Sequence, residues 1–93
     1  MAKEVIKRDG TKEPFDPGKI KGSIAAAAKL TNLSEERKNE VVEEVASTVI
    51  QFADSKEAIT TSEIREKILS ELDRIEPSVS AAWRAYDQEK KGA

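Results

Sequence analysis

The sequence predicts an α+β fold in which four helices pack against a small β-sheet. Four segments repeat apolar residues at the 3.6-residue spacing of amphipathic helices. Two other segments, around residues 5 and 59, are short and β-branched, and the first leads into Asp9-Gly10, a dipeptide typical of hairpin turns. With 93 residues and no internal repeat, the chain is expected to form one domain over residues 1–93, ordered from about 3 to 88.

A β-hairpin is predicted over residues 3–15. Val5 and Ile6 suit a strand, Asp9-Gly10 suits the turn, and residues 11–15 return antiparallel. Because Pro14 has no N–H to donate, the returning strand must be short or lie at the edge of the sheet.

Two helices follow the hairpin. Asp16 is a good N-cap and Pro17 is preorganised for the first helical position, so the first helix begins there and ends near Leu30. Ser34 caps a second helix that runs to about Ala53. The residues expected to face the core are Ile20, Ile24, Ala27 and Ala28 in the first helix and Val41, Val42, Val45, Ala46, Val49, Phe52 and Ala53 in the second.

A third strand and two further helices complete the chain. Residues 58–61 are short and β-branched, and Thr60 with Glu63 has the spacing of a capping box that starts the third helix. Pro77 ends that helix and opens a fourth, and the charged tail from Gln88 onward is expected to fray. The predicted inward residues are Ile64, Ile68, Leu69, Leu72 and Ile75 in the third helix and Val79, Ala82, Trp83 and Tyr86 in the fourth.

Composition excludes many kinds of chemistry. The chain has no Cys and no His, which removes disulfides, zinc ribbons, thiol nucleophiles and imidazole bases. Carboxylates, Lys, Arg, Ser, Thr and Tyr remain for chemistry. A kinase or ATPase needs carboxylates that hold Mg²⁺, but Asp9 and Asp16 are more simply explained as a turn residue and an N-cap, so we expect neither an enzyme nor a resident metal. Neither a signal peptide nor an apolar run long enough to span a bilayer is present, so a soluble cytoplasmic protein without membrane contact is expected.

The charge is distributed unevenly along the chain. Residues 1–30 hold seven Lys or Arg and four Asp or Glu, an excess of three positive charges. Residues 31–93 hold nine Lys or Arg and fourteen Asp or Glu, an excess of five negative charges. The net charge of −2 argues against a general nucleic-acid binder, so nucleic acid is not an expected partner. A site for an anion is expected in the basic N-terminal third.

Four features of the sequence are compatible with such an anion site. The first strand ends in Lys7-Arg8, and Lys19 falls in the first turn of the first helix, where backbone N–H groups are free. Residues 60–62 place hydroxyls at the start of the third helix. An apolar slot beside these groups could come from Val5, Phe15, Ile20 and Ile64. Each feature alone is also explained by ordinary folding, and the chain has neither a Walker-type loop nor a dinucleotide fingerprint.

Three separated segments of the chain form a recognisable pattern. The first runs from Val5 through Lys7-Arg8-Asp9-Gly10 to Ile20, and the second is Thr60-Thr61-Ser62-Glu63-Ile64. The third is Pro77 followed by Val79, Ala82, Trp83 and Tyr86. In this order and spacing they resemble the ATP-cone domain, a regulatory nucleotide-binding module of ribonucleotide reductases and of the repressor of their genes. The resemblance covers nearly the whole chain and implies a four-helix bundle capped by a three-stranded sheet, here as a stand-alone domain.

The resemblance also implies a ligand and a set of contacts. The effector would be ATP or dATP, which Mg²⁺ can accompany. Phosphate contacts fall on Lys7, Arg8 and Lys19, and on Lys90 or Lys91 from the last helix. The remaining contacts fall on Glu13 and Asp16 for the base or ribose, on Val5, Phe15 and Ile20 for the adenine, and on Thr61 and Arg65. The residue before Lys19 is Gly18, whereas members of the family often have a polar residue at this position.

Regulation by such a module would act through a partner, namely ribonucleotide reductase or a transcription factor, or through self-association into a homo-oligomer. Two alternatives remain open. One is a degenerate cone that serves as a protein-interaction or DNA-associated module, with Lys12 and Lys21 joining Lys7, Arg8 and Lys19 on a phosphate-facing surface. The other is a cone excised from a larger enzyme. The Lys-Lys-Gly-Ala ending does not decide between a natural terminus and a cut.

Overall fold

The computed structural model describes the backbone of residues 4–92 and the side chains of residues 4–86. Within this part of the chain, the α+β class and the order of elements are confirmed, and no helix is long and apolar enough to cross a membrane. The elements are β1 (Glu4–Ile6), β2 (Lys12–Pro14), α1 (Pro17–Ala28), α2 (Glu35–Asp54), β3 (Ala58–Thr60), α3 (Thr61–Ile75) and α4 (Pro77–Gly92). Helix α4 thus continues past residue 88, where fraying was expected.

The three strands form one mixed sheet in the order β2-β1-β3. Strand β1 pairs antiparallel with β2 through the predicted hairpin, whose Gly10 adopts a φ of 87° that favours glycine. Strand β1 also pairs parallel with β3, with Ile6 opposite Thr60. Because α3 begins at the next residue, this register brings the end of β1 beside the first turn of α3.

Two apolar clusters form the core, and both contain residues predicted from helical spacing. The larger lies among the four helices and includes Ile24, Val45 and Leu72, all with no exposed surface. The smaller consists of Val5, Ala53 and Ile59 and lies between the sheet and the helices. Phe15 and Ile64, named above as candidates for an apolar slot, are partly buried against both clusters.

Tyr86 is the exception among the predicted core residues, because it is 53% exposed. Helical spacing placed it on the inward face of α4, and that prediction is wrong. The segment of α1 that α4 passes carries small residues, among them Gly22, Ser23 and Ala26, which line an open groove beside Tyr86. There is no bulky side chain in that part of α1 to cover the ring.

The helices begin where the sequence signals predict. Asp16 accepts a hydrogen bond from the Gly18 N–H at 2.9 Å and caps α1. Ser34 accepts one from the Arg37 N–H at 3.1 Å and caps α2. The predicted capping box at the start of α3 is also present, since the Thr60 side chain accepts from the backbone of Glu63 and the Glu63 carboxylate accepts from that of Thr60.

A clamp of charged side chains joins α3 to α4 and makes the fold sensitive to acid. The Arg84 guanidinium donates to both carboxylate oxygens of Asp73 at 2.9 Å, and the Ser80 hydroxyl donates to one of them. The Arg84 hydrogen bonds, followed by that of Ser80, lower the pKa of Asp73 from 3.8 to about 2. The carboxylate therefore stabilises the folded state fully above pH 3.8, and this stabilisation is lost as the pH falls toward 2.

Asp73→Asn should therefore lower the melting temperature at pH 7 and lower it much less at pH 2, where about half of the Asp73 carboxyl is already protonated in the folded wild type. Thermal melts followed by circular dichroism across this range provide the measurement. If the melting temperature of the variant lies below that of the wild type by the same amount at both pH values, the charge of Asp73 is not what stabilises the contact between α3 and α4.

Gly22→Ala should stabilise the protein. Gly22 lies inside α1, and a β-carbon at this position meets nothing within 4 Å. Alanine loses less backbone entropy than glycine on helix formation, which is worth roughly 0.5–1 kcal/mol. For a domain of this size the melting temperature should rise by about 4 °C or more for each kcal/mol. A lower melting temperature would mean that the groove beside Gly22 closes in solution.

Candidate functional site

The candidate site is a cavity of about 190 Å³ between the sheet and helices α1, α3 and α4. Its apolar side chains are Val5, Phe15, Ile20, Ile64, Ile68 and Trp83. Its polar side chains are Glu13, Asp16, Lys19, Ser23, Thr61 and Arg65, and Pro14 completes the lining. An apolar pocket with a few converging polar groups is the usual form of a small-molecule site.

Three charged side chains converge beside this cavity. The Lys7 ammonium lies 3.3 Å from Oε2 of Glu13, and the Lys19 ammonium lies 3.8 Å from the same oxygen. Lys7 follows β1, Glu13 lies in β2 and Lys19 lies in the first turn of α1, so the hairpin and the helix cap together create this cluster. Two positive charges and one negative charge leave a local excess of positive charge.

Two helix N-termini also face the cavity. Asp16, the cap of α1, and Thr61, the first residue of α3, both belong to its lining. The positive end of a helix dipole favours an anion at such positions. At α1, Pro17 has no N–H and the Gly18 N–H already donates to the Asp16 carboxylate. The cap of α3 is held firmly, since the Lys56 ammonium lies 2.7 Å from Glu63 and, with the Thr60 hydrogen bonds, lowers the pKa of that carboxyl.

Eight of the twelve residues predicted for the site line this cavity: Val5, Glu13, Phe15, Asp16, Lys19, Ile20, Thr61 and Arg65. Lys7 reaches the site through its contact with Glu13. Arg8 is exposed and does not line the cavity. The side chains of Lys90 and Lys91 lie outside the described residues.

Ser23 and Trp83 line the cavity but were not predicted as site residues. Ser23 lies four residues after Lys19, on the same face of α1, so helical spacing was a usable signal. Trp83 was predicted only as a core residue, because its place at the cavity depends on how α4 crosses α1. Its Nε1 is buried and has no hydrogen-bond partner among the described residues.

The open groove beside Tyr86, between α1 and α4, is a second and larger cavity of about 590 Å³. Lys19, Ser23 and Trp83 line both cavities, so the two are neighbours. The outer part of the second cavity includes Leu30 and Tyr86, which are 61% and 53% exposed. The described residues contain no group of three or more Asp or Glu placed to hold a metal ion.

The family profile of the ATP cone domain matches residues 3–92. The chain belongs to this family. The cavity of this cone is formed by the three segments on which the sequence resemblance rests, one from the hairpin and α1, one from α3 and one from α4.

Several relatives of this cone are named transcriptional repressor NrdR. The protein from Prochlorococcus marinus is 38% identical over 72 residues, which are 77% of this chain and 44% of the relative. The protein from Caldicellulosiruptor bescii is 32% identical over 72 residues, 77% of this chain and 46% of the relative. The protein from Synechococcus sp. is 37% identical over 71 residues, which are 76% of this chain and 34% of the relative. The match therefore spans less than half the length of these relatives.

Proposed function

We propose that this cone binds an adenine nucleotide, ATP or dATP, in the cavity between the sheet and helices α1, α3 and α4. The observation that carries the proposal is the combination of an apolar cavity with two lysines and two helix N-termini at its edge. The apolar side chains suit a flat purine ring, and the cationic groups suit a phosphate chain. Mg²⁺ would arrive with the triphosphate, because the described residues offer no carboxylate cluster of their own.

The proposed role is regulatory and not catalytic. The cone would report nucleotide occupancy to a partner or to a second copy of itself, and so alter the activity or the expression of ribonucleotide reductase. Ligand binding and assembly are then reciprocally coupled, so each must change the equilibrium constant of the other by the same factor. The proposed place of action is the cytoplasm, where nucleotides and reductase meet.

A role on DNA is the second candidate, because the relatives are named transcriptional repressors. That name runs against the expectation from net charge that nucleic acid is not a partner. Four of its five candidate cations contact carboxylates: Lys7 and Lys19 with Glu13, Lys12 with Glu4, and Lys21 with Glu43. Exposed ion pairs of this kind can exchange partners with a phosphate, so the argument against duplex DNA is the net charge of −2. Complex formation with duplex DNA in a gel shift at low salt would favour it.

Isothermal titration with ATP, dATP, GTP and CTP, each with and without Mg²⁺, tests the proposed function. A ligand at 100 times its Kd adds about 2.7 kcal/mol to the free energy of unfolding, so the melting temperature should rise by roughly ten degrees. Size-exclusion chromatography of the same samples tests coupling to assembly. No heat and no melting shift with millimolar adenine nucleotide would refute the proposal.

A further inference from the structure

Lys56 connects the end of α2 with the start of α3. It lies between α2 and β3, and its backbone N–H donates to the carbonyl of Ala53 in α2 at 3.0 Å. Its ammonium lies 2.7 Å from Oε2 of Glu63 in the first turn of α3 and 5.3 Å from the centre of the Phe52 ring. Lys56 does not line the cavity, but its partners belong to the elements that support it.

Glu63 carries the contact of Lys56 on to the cap of α3. While Oε2 faces Lys56, Oε1 accepts from the backbone N–H and from the hydroxyl of Thr60, each at 3.1 Å. The Thr60 hydroxyl in turn accepts from the Glu63 N–H at 3.0 Å. A single carboxylate therefore has one oxygen on the lysine and the other on the N-cap.

The cap determines how α3 begins beside the cavity. Thr61 follows the N-cap directly and lines the cavity, and Ile64 and Arg65 line it one turn later. Thr60 also lies opposite Ile6 in the sheet, so the cap joins α3 to the end of β1. A displacement of this first turn would move the cavity-lining residues of α3 relative to the sheet.

The two contacts of Glu63 support each other. Its side chain is 36% exposed, so water competes for both carboxylate oxygens, and an ion pair this exposed is weak when taken alone. A carboxylate that makes both contacts at once loses its rotamer freedom only once, so each contact strengthens the other. Removal of the Lys56 charge therefore weakens the cap, although every residue of the cap stays in place.

We propose that Lys56 is a positioning residue for the nucleotide site, which holds Glu63 on the cap and so fixes the first turn of α3 and Thr61 at the cavity. This inference rests on the proposed function. A site that is ordered before the ligand arrives binds more tightly, because the ligand does not have to order it. Lys56 thus increases the affinity for the nucleotide without touching it.

Lys56→Met tests the proposal, because it keeps an unbranched side chain of similar length and removes the charge. Lys67→Met is the matched control. The Lys67 ammonium also lies beside the Phe52 ring, at 5.4 Å, and also contacts a carboxylate, that of Glu71 at 3.6 Å. This control removes the same charge and the same ring contact, but the partner of Lys67 lies further along α3, outside its first turn.

Titration calorimetry with ATP measures the effect on the site. We expect Lys56→Met to lower the affinity roughly three- to fivefold, and Lys67→Met and Lys56→Arg to change it by less than about 1.5-fold. In a Glu63→Gln background, Lys56→Met should have little further effect, because glutamine keeps the capping box but has no charge to hold the lysine. Thermal melts of all variants check that they fold.

Hydrogen exchange of the ligand-free protein gives a second readout that does not depend on nucleotide. The N–H groups of Thr60 and Glu63 both donate within the capping box. Local opening of the box exposes them, so they should exchange faster in Lys56→Met than in the wild type or in Lys67→Met.

Three results would overturn the inference. Unchanged ATP affinity in Lys56→Met would mean that the cap does not limit binding. An equal loss in Lys67→Met would reduce the effect to net charge or to the Phe52 contact. A loss that persists at full size in the Glu63→Gln background would mean that Lys56 acts on the phosphates directly. A wild-type chain that binds no nucleotide refutes the proposed function instead, and hydrogen exchange then decides whether Lys56 fixes the first turn of α3.

Discussion

Alanine at both Lys7 and Lys19 is expected to lower the affinity for ATP by roughly ten- to a hundredfold, which corresponds to about 1.4–2.8 kcal/mol. Charged hydrogen bonds to phosphate are among the stronger polar contacts in proteins, and the double variant removes two. It also leaves Glu13 without its two contacting cations, at 3.3 and 3.8 Å in the wild type, so the remaining charge at the cavity repels the phosphates. Titration calorimetry at constant salt measures the loss.

The matched control is the double variant Lys12→Ala with Lys21→Ala. It removes the same two charges from neighbouring elements, yet Lys12 and Lys21 pair with Glu4 and Glu43, and neither lines the cavity. Its affinity should fall by less than about threefold, since only long-range attraction is lost. Equal losses in the two double variants would show that the site responds to overall charge alone.

Ile59→Ala is expected to have the largest effect on stability, a loss of about 2–5 kcal/mol. Ile59 has no exposed surface, pairs with Val5 in the sheet and belongs to the small cluster beneath the site. Domains of this kind are stable by only about 5–15 kcal/mol, so the loss is a large share of the total. Chemical denaturation followed by circular dichroism gives the free energy of unfolding.

Two variants make this measurement specific. Ile59→Val removes one methyl group and should cost only about 0.5–1.5 kcal/mol. Leu30→Ala removes as many carbon atoms as Ile59→Ala but at a side chain that is 61% exposed, so the cost should be close to zero. If Ile59→Ala costs no more than Leu30→Ala, the small cluster does not support the sheet.

Local signals in the sequence predict most of the fold. The turn of the hairpin, the caps at Asp16 and Ser34 and the capping box at Thr60 each depend on residues within four positions of one another, and all are observed. Tyr86 shows the limit of this reasoning. Helical spacing gives the face of α4 on which the residue lies, but it does not tell whether the facing helix has side chains large enough to cover it.

The site is predictable to the extent that it is local. Residues from the hairpin and the first turns of α1 and α3 lie at the cavity as expected, because turns and caps fix their positions. The parallel pairing of β1 with β3 joins segments more than fifty residues apart, and no nearby residue specifies it. Trp83 was missed as a site residue for the same reason, since its position depends on the crossing of α1 and α4.

The central position of β1 has a consequence for how the protein is made. During synthesis β1 and β2 leave the ribosome early, but β3, the other strand that pairs with β1, is complete only at Thr60. Until then one edge of the hairpin stays open, and an open strand edge invites pairing with other chains. The walls of the cavity come from residues as far apart as Val5 and Trp83, so the cavity should be complete only after α4 has been synthesised.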